Sequence, residues 1–310
     1  MSTPLRPMST GEILDRTFNL YRRNFALFAG IAVVPPALML VVHLIQAGMV
    51  ATPGPARAAA PGLAAAGGLG MMAGWIAYLV GLAIAHAATV FAVSAVHLER
   101  TTTIGECYGR VKGHYGRVVW VIFQAGLRSF GPTIVVVVAA AMVIPPFIKE
   151  GGKAGAALAG IVLGLAMIIA IVMGVVLYLR FALAVPACVL ENIEAGDAIR
   201  RSVTLSQGSR GQIFVVYFLM GIINYIIMLV FMVPAAMLAA ATAKGSPALA
   251  TLFTGLASFL AGTLAGPIAT IALSLVYFDQ RVRKEAFDLQ LMMAAVDGTA
   301  LPGAQAAGAG

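Results

Sequence analysis

The chain has 310 residues, 61% of them apolar and only 10% charged, with 34 Gly and a mean hydropathy of +0.95. A soluble domain carries about 25% charged residues, so this composition excludes a water-surrounded globule. No polar stretch reaches the ~50 residues a domain needs, which also excludes a large soluble catalytic domain. The net charge of +8 is divided among juxtamembrane segments, a distribution that suits lipid headgroups rather than nucleic acid.

In chain order, Ser9 and Glu12 form a capping box, a hydroxyl three residues before a carboxylate, which starts a helix. Leu14, Phe18, Tyr21 and Phe25 then recur at helical spacing on one face, with Glu12, Asp15, Arg16, Asn19, Arg22 and Arg23 on the other, as in a short helix lying on the inner leaflet. No cleavable leader is expected ahead of it, because the first apolar run is long enough to stay as a span. That run, 26–50, holds Pro35/Pro36 as a kink site and carries His43 and Gln46. A second span, 71–96, carries His86, and a second capping box follows at Thr103 and Glu106. The third span, 118–147, holds Gln124, Arg128, Pro132 and Pro145/Pro146, and the fourth covers 156–179. A third polar lead-in segment begins at Glu194 without a cap hydroxyl and ends in Ser206-Gln207-Gly208-Ser209, so its helix is expected to be shorter and looser. The spans 213–241, with Asn224 and Pro234, and 249–278 complete a set of six, each long enough for a bilayer that needs about 20 apolar residues. Apolar runs without alternating polarity exclude an outer-membrane barrel. The two cysteines, Cys107 and Cys188, read as plain small residues on the cytoplasmic side.

Lys and Arg set the orientation. With both termini inside, the cytoplasmic segments hold Arg6, Arg16, Arg22, Arg23, Arg100, Arg110, Lys112, Arg117, Arg180, Arg200, Arg201, Arg210, Arg281, Arg283 and Lys284, against Arg57, Lys149, Lys153 and Lys244 outside. This predicts a multi-pass protein of the bacterial cytoplasmic (inner) membrane with both termini cytoplasmic. The three lead-in segments share a pattern in which Gly11, Gly105 and Gly196 precede an acid by one residue and Arg16, Arg110 and Arg201 by five. The fold expected is therefore all-α, with six transmembrane helices in three repeated hairpins (about 9–100, 103–190 and 194–290), each led by a cytoplasmic amphipathic helix. Residues 1–292 form one membrane domain, and the uncharged Gly/Ala-rich end of 293–310 leaves that segment disordered.

Two readings of the lead-in segments stay open. They are elbows with local pairs such as Glu12 to Arg16 and Glu106 to Arg110, or Arg16, Arg110 and Arg201 contact lipid headgroups, including anionic ones, or a protein partner. Within the spans, Arg128, Gln124, His86, His43 and Asn224 are candidate polar-site residues, since polar groups in hydrocarbon point by default to function. Arg128 lies too deep for easy snorkelling. A helix break at Gly131-Pro132 would free carbonyls beside it, making an external anion one reading and a snorkelling Arg at a kink the other.

Three cytoplasmic stretches carry a family resemblance. They are Leu5-Arg-Pro-Met-Ser-Thr-Gly-Glu-Ile-Leu-Asp-Arg16 running on to Phe25; Val185-Pro-Ala-Cys-Val-Leu-Glu191 leading to Ala198-Ile-Arg-Arg-Ser202; and Val276-Tyr-Phe-Asp-Gln-Arg-Val-Arg-Lys-Glu285 running on to Leu289. In these the chain resembles the bacterial membrane-protein family of the glycerophosphodiester phosphodiesterase membrane domain. The resemblance implies a multi-helix module with no defined activity of its own. The diesterase chemistry does not carry over, because it needs His acid/base residues and a carboxylate cluster holding a divalent metal. Here His43, His86, His97 and His114 have no second His or carboxylate at ligand spacing. No catalytic residues and no cofactor are expected. The sequence favours a non-catalytic integral membrane module in envelope or lipid homeostasis, or a scaffold. The alternative is a transporter or lipid-handling permease with an anion site near Arg128.

Overall fold

The computed structural model describes residues 7–51, 61–243 and 245–285, apart from the side chains of 61–66 and 143–151. Arg6, Arg57, Lys244 and the tail 293–310 lie outside the described residues, as do the side chains of Pro145, Pro146 and Lys149. Within the described residues the chain is helical, with no strand. The helices are α1 (Thr10–Arg23), α2 (Phe25–Ala32), α3 (Val34–Ala51), α4 (Pro61–His97), α5 (Ile104–Val111), α6 (Tyr115–Phe181), α7 (Ala184–Glu191), α8 (Ala195–Ser206), α9 (Arg210–Thr242) and α10 (Pro247–Glu285). Six stretches are long and apolar enough to span a membrane: Val34–Ala51, Gly67–His97, Tyr115–Met142, Gly152–Glu191, Arg210–Thr242 and Pro247–Glu285. The chain is a multi-pass membrane protein.

The local chemistry of the short helices follows their sequences. Ser9 Oγ accepts from Glu12 N–H at 3.3 Å while Glu12 Oε2 accepts from Ser9 N–H at 2.7 Å, so both capping-box bonds form. Thr103 and Glu106 repeat this at the start of α5. Glu194 makes no side-chain cap for α8, and α8, with 12 residues, is shorter than the 14 of α1 as expected but longer than the 8 of α5. Its hold is tertiary: Ile199 and Leu205 are buried, and Ser202 Oγ donates to Arg180 O at 2.9 Å and accepts from Leu183 N–H at 3.2 Å.

On α1 the apolar residues are divided between the core and the surface. Ile13 and Thr17 are sealed against the core, whereas Phe18 and Phe25 are 39% and 47% exposed. Thr17 tolerates burial because its hydroxyl donates to Ile13 O at 2.7 Å. The helix thus docks on α10 and α9 through Ile13 and Thr17, while Phe18 and Phe25 of the apolar face point away from the core.

The axis of the bundle is α10, whose buried residues run from Gly255 to Val282 and which meets α3, α4 and α9. Small residues on α4 (Ala83, Ala87, Ala88) and α10 (Ala257, Ala261, Ala265) let these helices approach closely. The first apolar run divides into α2 and α3 at Val33, whose φ and ψ stay helical (−65° and −29°), because Pro35 and Pro36 take two donors out of the backbone ladder. By contrast, α6 passes through Gly131-Pro132 without a break; its one non-helical residue among those described is Gly152, at φ 57° and ψ −138°. There α6 doubles back, so that Thr133 Oγ1 donates to Ala170 O at 3.4 Å and the rings of Phe130 and Tyr178 lie 6.5 Å apart. Beyond this pairing the arms of α6 are largely exposed, as lipid-facing helices are.

Where α10 crosses the α2–α3 junction, a Cβ on Gly262 would lie 2.9 Å from Pro36 Cγ, an atom of a rigid ring. Gly262→Ala is expected to destabilise the protein by about 1–3 kcal/mol, read as a lowered unfolding midpoint in detergent. Gly221→Ala on α9, with open space around its Cα, is expected to stay within about 0.5 kcal/mol of the parent.

Candidate functional site: a terminal clamp and a midplane cavity

The three stretches that carry the resemblance converge at one end of the bundle. Asp279, sealed from solvent on α10, accepts from Met8 N–H at 2.6 Å, Arg283 Nε at 2.9 Å, and the amides of Gln212 and Gln280, each at 3.3 Å. Arg283 Nη2 also donates to Met8 O at 2.6 Å, which pins the start of the chain to the end of α10. Two turns away, Glu191 accepts from Tyr277 OH at 2.6 Å and from Arg201 Nε at 3.0 and 2.9 Å. Arg201 also pairs with Glu285, which Arg281 meets at 3.1 Å. Partial burial disfavours the Arg201 cation, but bonds to and charges on Glu191 and Glu285 outweigh it and raise its pKa. Lys284 Nζ closes the end of α8 by donating to the carbonyls of Thr204, Leu205 and Gln207 at 3.0, 3.0 and 2.5 Å. These groups satisfy one another, so the cluster is a clamp.

The three arginines of the lead-in segments are not equivalent. Arg201 is held inside the clamp, Arg16 is half-buried on α1, and Arg110 is exposed on α5. Glu106 is engaged by the N–H of Thr103 at 2.9 Å and the hydroxyl of Thr102 at 3.2 Å, which hold its carboxyl below the usual range. No ion pair between Glu106 and Arg110 occurs among the described residues. Cys107 and Cys188 are buried free thiols.

Deeper in the bundle lies a cavity of 310 Å³ bounded by the α2–α3 junction, α4, α9 and α10. Pro35 and Pro36 form one wall and His86 and Thr89 another; Asn224 and Met228 come from α9 and Ser258 from α10. Asn224 stands 14 residues from the start of α9 and 18 from its end, about 21 and 27 Å at 1.5 Å per residue, which is near the midplane of a spanning helix. Thr89 Oγ1 donates to Ala85 O at 2.8 Å and Asn224 Nδ2 to Ala265 O at 3.3 Å. His86 makes no hydrogen bond with a described residue.

The tandem prolines leave a second open group. Pro35 denies Ile31 O its i+4 donor, and Tyr108 OH on α5 supplies one at 2.7 Å. Burial pushes the Tyr108 phenol up to about 12, which keeps the proton that makes this bond. Ala32 O faces Pro35 at i+3 and Pro36 at i+4, neither of which carries an N–H, and Ala32 lines the cavity.

Of the intramembrane residues singled out by sequence, the structure brings His86 and Asn224 together at this cavity. His43 is elsewhere, with Nδ1 2.8 Å from Met39 O and its ring against Gly255. Gln124 keeps a buried Oε1 without a partner. Arg128 is exposed on α6, without a hydrogen bond or ion pair to a described residue, and no helix break adjoins it. Sequence reasoning missed Thr89 and Ser258, whose hydroxyls look ordinary in any span. It also left Glu191, Asp279 and Arg283 without roles, although all three lie in the stretches that carry the resemblance. Among the described residues no three His, Cys, Asp or Glu side chains are grouped to hold a metal.

Residues 137–290 match the family described as the membrane domain of glycerophosphoryl diester phosphodiesterase. The match runs from within the first arm of α6 through α10, including Glu191, Arg201 and the clamp end of α10. No curated protein and no solved structure matches the chain.

Removing the buried carboxylate strands the Arg283 cation and Met8 N–H. Asp279→Ala is expected to cost about 3 kcal/mol, the low end for breaking a buried pair because Arg283 is partly exposed. Denaturant unfolding in detergent checks the cost. Limited proteolysis should also show faster cleavage ahead of Ser9.

Proposed function

We propose that this chain is a non-catalytic integral module of the bacterial cytoplasmic membrane that serves envelope or lipid homeostasis by holding a lipid at its midplane cavity. The observation that carries the reading is that cavity itself: free of acidic and basic side chains among its lining residues, bounded by a span whose backbone ladder two prolines interrupt, and near mid-depth, where interrupted helices form binding sites in membrane proteins. The family matched over 137–290 is a membrane domain, which accords with a module acting within the bilayer. The clamp accords with a non-catalytic role, since its Glu and Arg groups are engaged with one another.

In this reading the three pairs of long helices are repeated hairpins, α1, α5 and α8 are their elbow helices on the cytoplasmic side, and both termini are cytoplasmic. The balance of Lys and Arg favours that orientation. The alternative, a permease with an anion site at Arg128, draws on one observation, the exposed and unpaired guanidinium on α6. That site would face lipid and bind a headgroup phosphate from outside the bundle, away from the cavity.

Native mass spectrometry of the purified protein tests the function: a stoichiometric bound lipid is the expected result, whereas lipid-free protein with a co-purifying polypeptide would move the role to scaffolding. Arg128→Leu is expected to insert, fold and retain that lipid, and its loss in the variant would instead favour the permease reading. For orientation, single cysteines placed at Arg57 and Lys244 in a chain lacking Cys107 and Cys188 should react with an impermeant maleimide only from the periplasmic side. A cysteine at Arg110 should react only from the cytoplasmic side.

A further inference from the structure

We propose that the midplane cavity takes the uncharged, hydroxyl-bearing end of a membrane lipid, admitted sideways between α4 and α9. This rests on the lipid-holding reading above and specifies its ligand. Charge comes first: none of the described residues lining the cavity is Asp, Glu, Lys or Arg. A phosphate brought there would give up its water with no cation to replace it, and that is the costliest form of burial. Arg128, a cation deep in a span, is on α6 and does not line the cavity.

Hydrogen-bonding capacity comes second. His86 has no protein partner among the described residues, and Ala32 O has two prolines where its backbone donors would be. A hydroxyl both donates and accepts, so it suits an imidazole and a bare carbonyl as neither a hydrocarbon chain nor an ester alone does. Size is third. A volume of 310 Å³ is about ten waters' worth, enough for a small polar end and the first methylenes, with the remaining chain left in the bilayer.

The route is visible in the packing. Both α4 and α9 pack on α10, with no extensive packing between the two among the described residues, and Met228 at the cavity edge is 46% exposed. Towards the clamp, α6 covers this seam, where the rings of Tyr178 and Tyr217 are 4.8 Å apart. Tyr217 precedes Met228 by 11 residues, about 16 Å along α9, so the cavity opens beyond that cover. The flexible thioether of Met228 at the opening can yield to a passing chain.

The test uses the full chain in phosphatidylcholine nanodiscs containing one of two photoactivatable probes with identical diazirine acyl chains: diacylglycerol, or phosphatidic acid, which differs by the phosphate. Diacylglycerol is expected to label the α4 and α9 peptides flanking the cavity at least fivefold more than phosphatidic acid. His86→Leu should lower that labelling about three- to tenfold, the worth of one hydrogen bond. Ser258→Phe, which fills the space without removing the imidazole, should lower it as well, which keeps the test decisive if one variant misfolds. Equal or stronger labelling by phosphatidic acid would overturn the neutral-lipid assignment and leave the lipid-holding reading intact. Labelling unchanged in both folded variants would overturn the site. If neither probe labels the cavity walls and native mass spectrometry finds no bound lipid, both readings fail together.

Discussion

A carboxylate that water cannot reach, on Asp279, organises the clamped end of this molecule. Its donors come from its own helix, from the first turn of α9 and from Met8, 271 residues earlier in the chain. An ionised group in such a place is tolerable only when hydrogen bonds replace its lost hydration. The fold therefore has little freedom there: the start of the chain, α9 and α10 must meet in one arrangement. Glu191 and Arg201 extend the constraint to α7 and α8, and Lys284 to the end of α8. The cavity inherits it, since its α9 and α10 walls descend directly from this fixed end.

What the sequence disclosed depended on how local the physics was. Six spans were legible because each needs only a run of apolar residues, and two capping boxes because each joins residues three apart. The kink at Pro35/Pro36 was legible for the same reason. The docking of α1 through Ile13 and Thr17 was not legible, because Thr17 counts as polar in a periodicity but folds its hydroxyl back onto Ile13 O. The anchoring of α8 was not legible because Ile199, Ser202 and Leu205 hold it from outside the helix, where a cap residue gives no information.

The polar residues of the spans show the same division. His86 and Asn224 could be picked out one by one as unusual in hydrocarbon, but whether they meet depends on how α4 and α9 are set around α10. Arg128 was conspicuous in sequence, yet its expected helix break did not form, since one proline in a long apolar helix costs a single backbone donor and can be absorbed. The stretches around Glu191 and Asp279 were recognised by likeness alone; their roles as partners became clear only when the ends of the chain were brought together.

Two tyrosines tie the surface helices to the interior. Tyr21 on α1 donates to Leu264 O at 2.7 Å, and Tyr108 on α5 donates to Ile31 O at the same distance. Each acceptor belongs to a helix that walls the cavity, and Ile31 O has lost its own backbone donor to a proline. If α5 drew away from the bundle, that carbonyl would be stranded in an apolar setting at a cost of about 1–3 kcal/mol. The short helices are thus fastened to the cavity walls as levers are to a hinge: a displacement of α1 at the membrane surface pulls on α10 through Leu264, and one of α5 pulls on the first span through Ile31, beside the prolines.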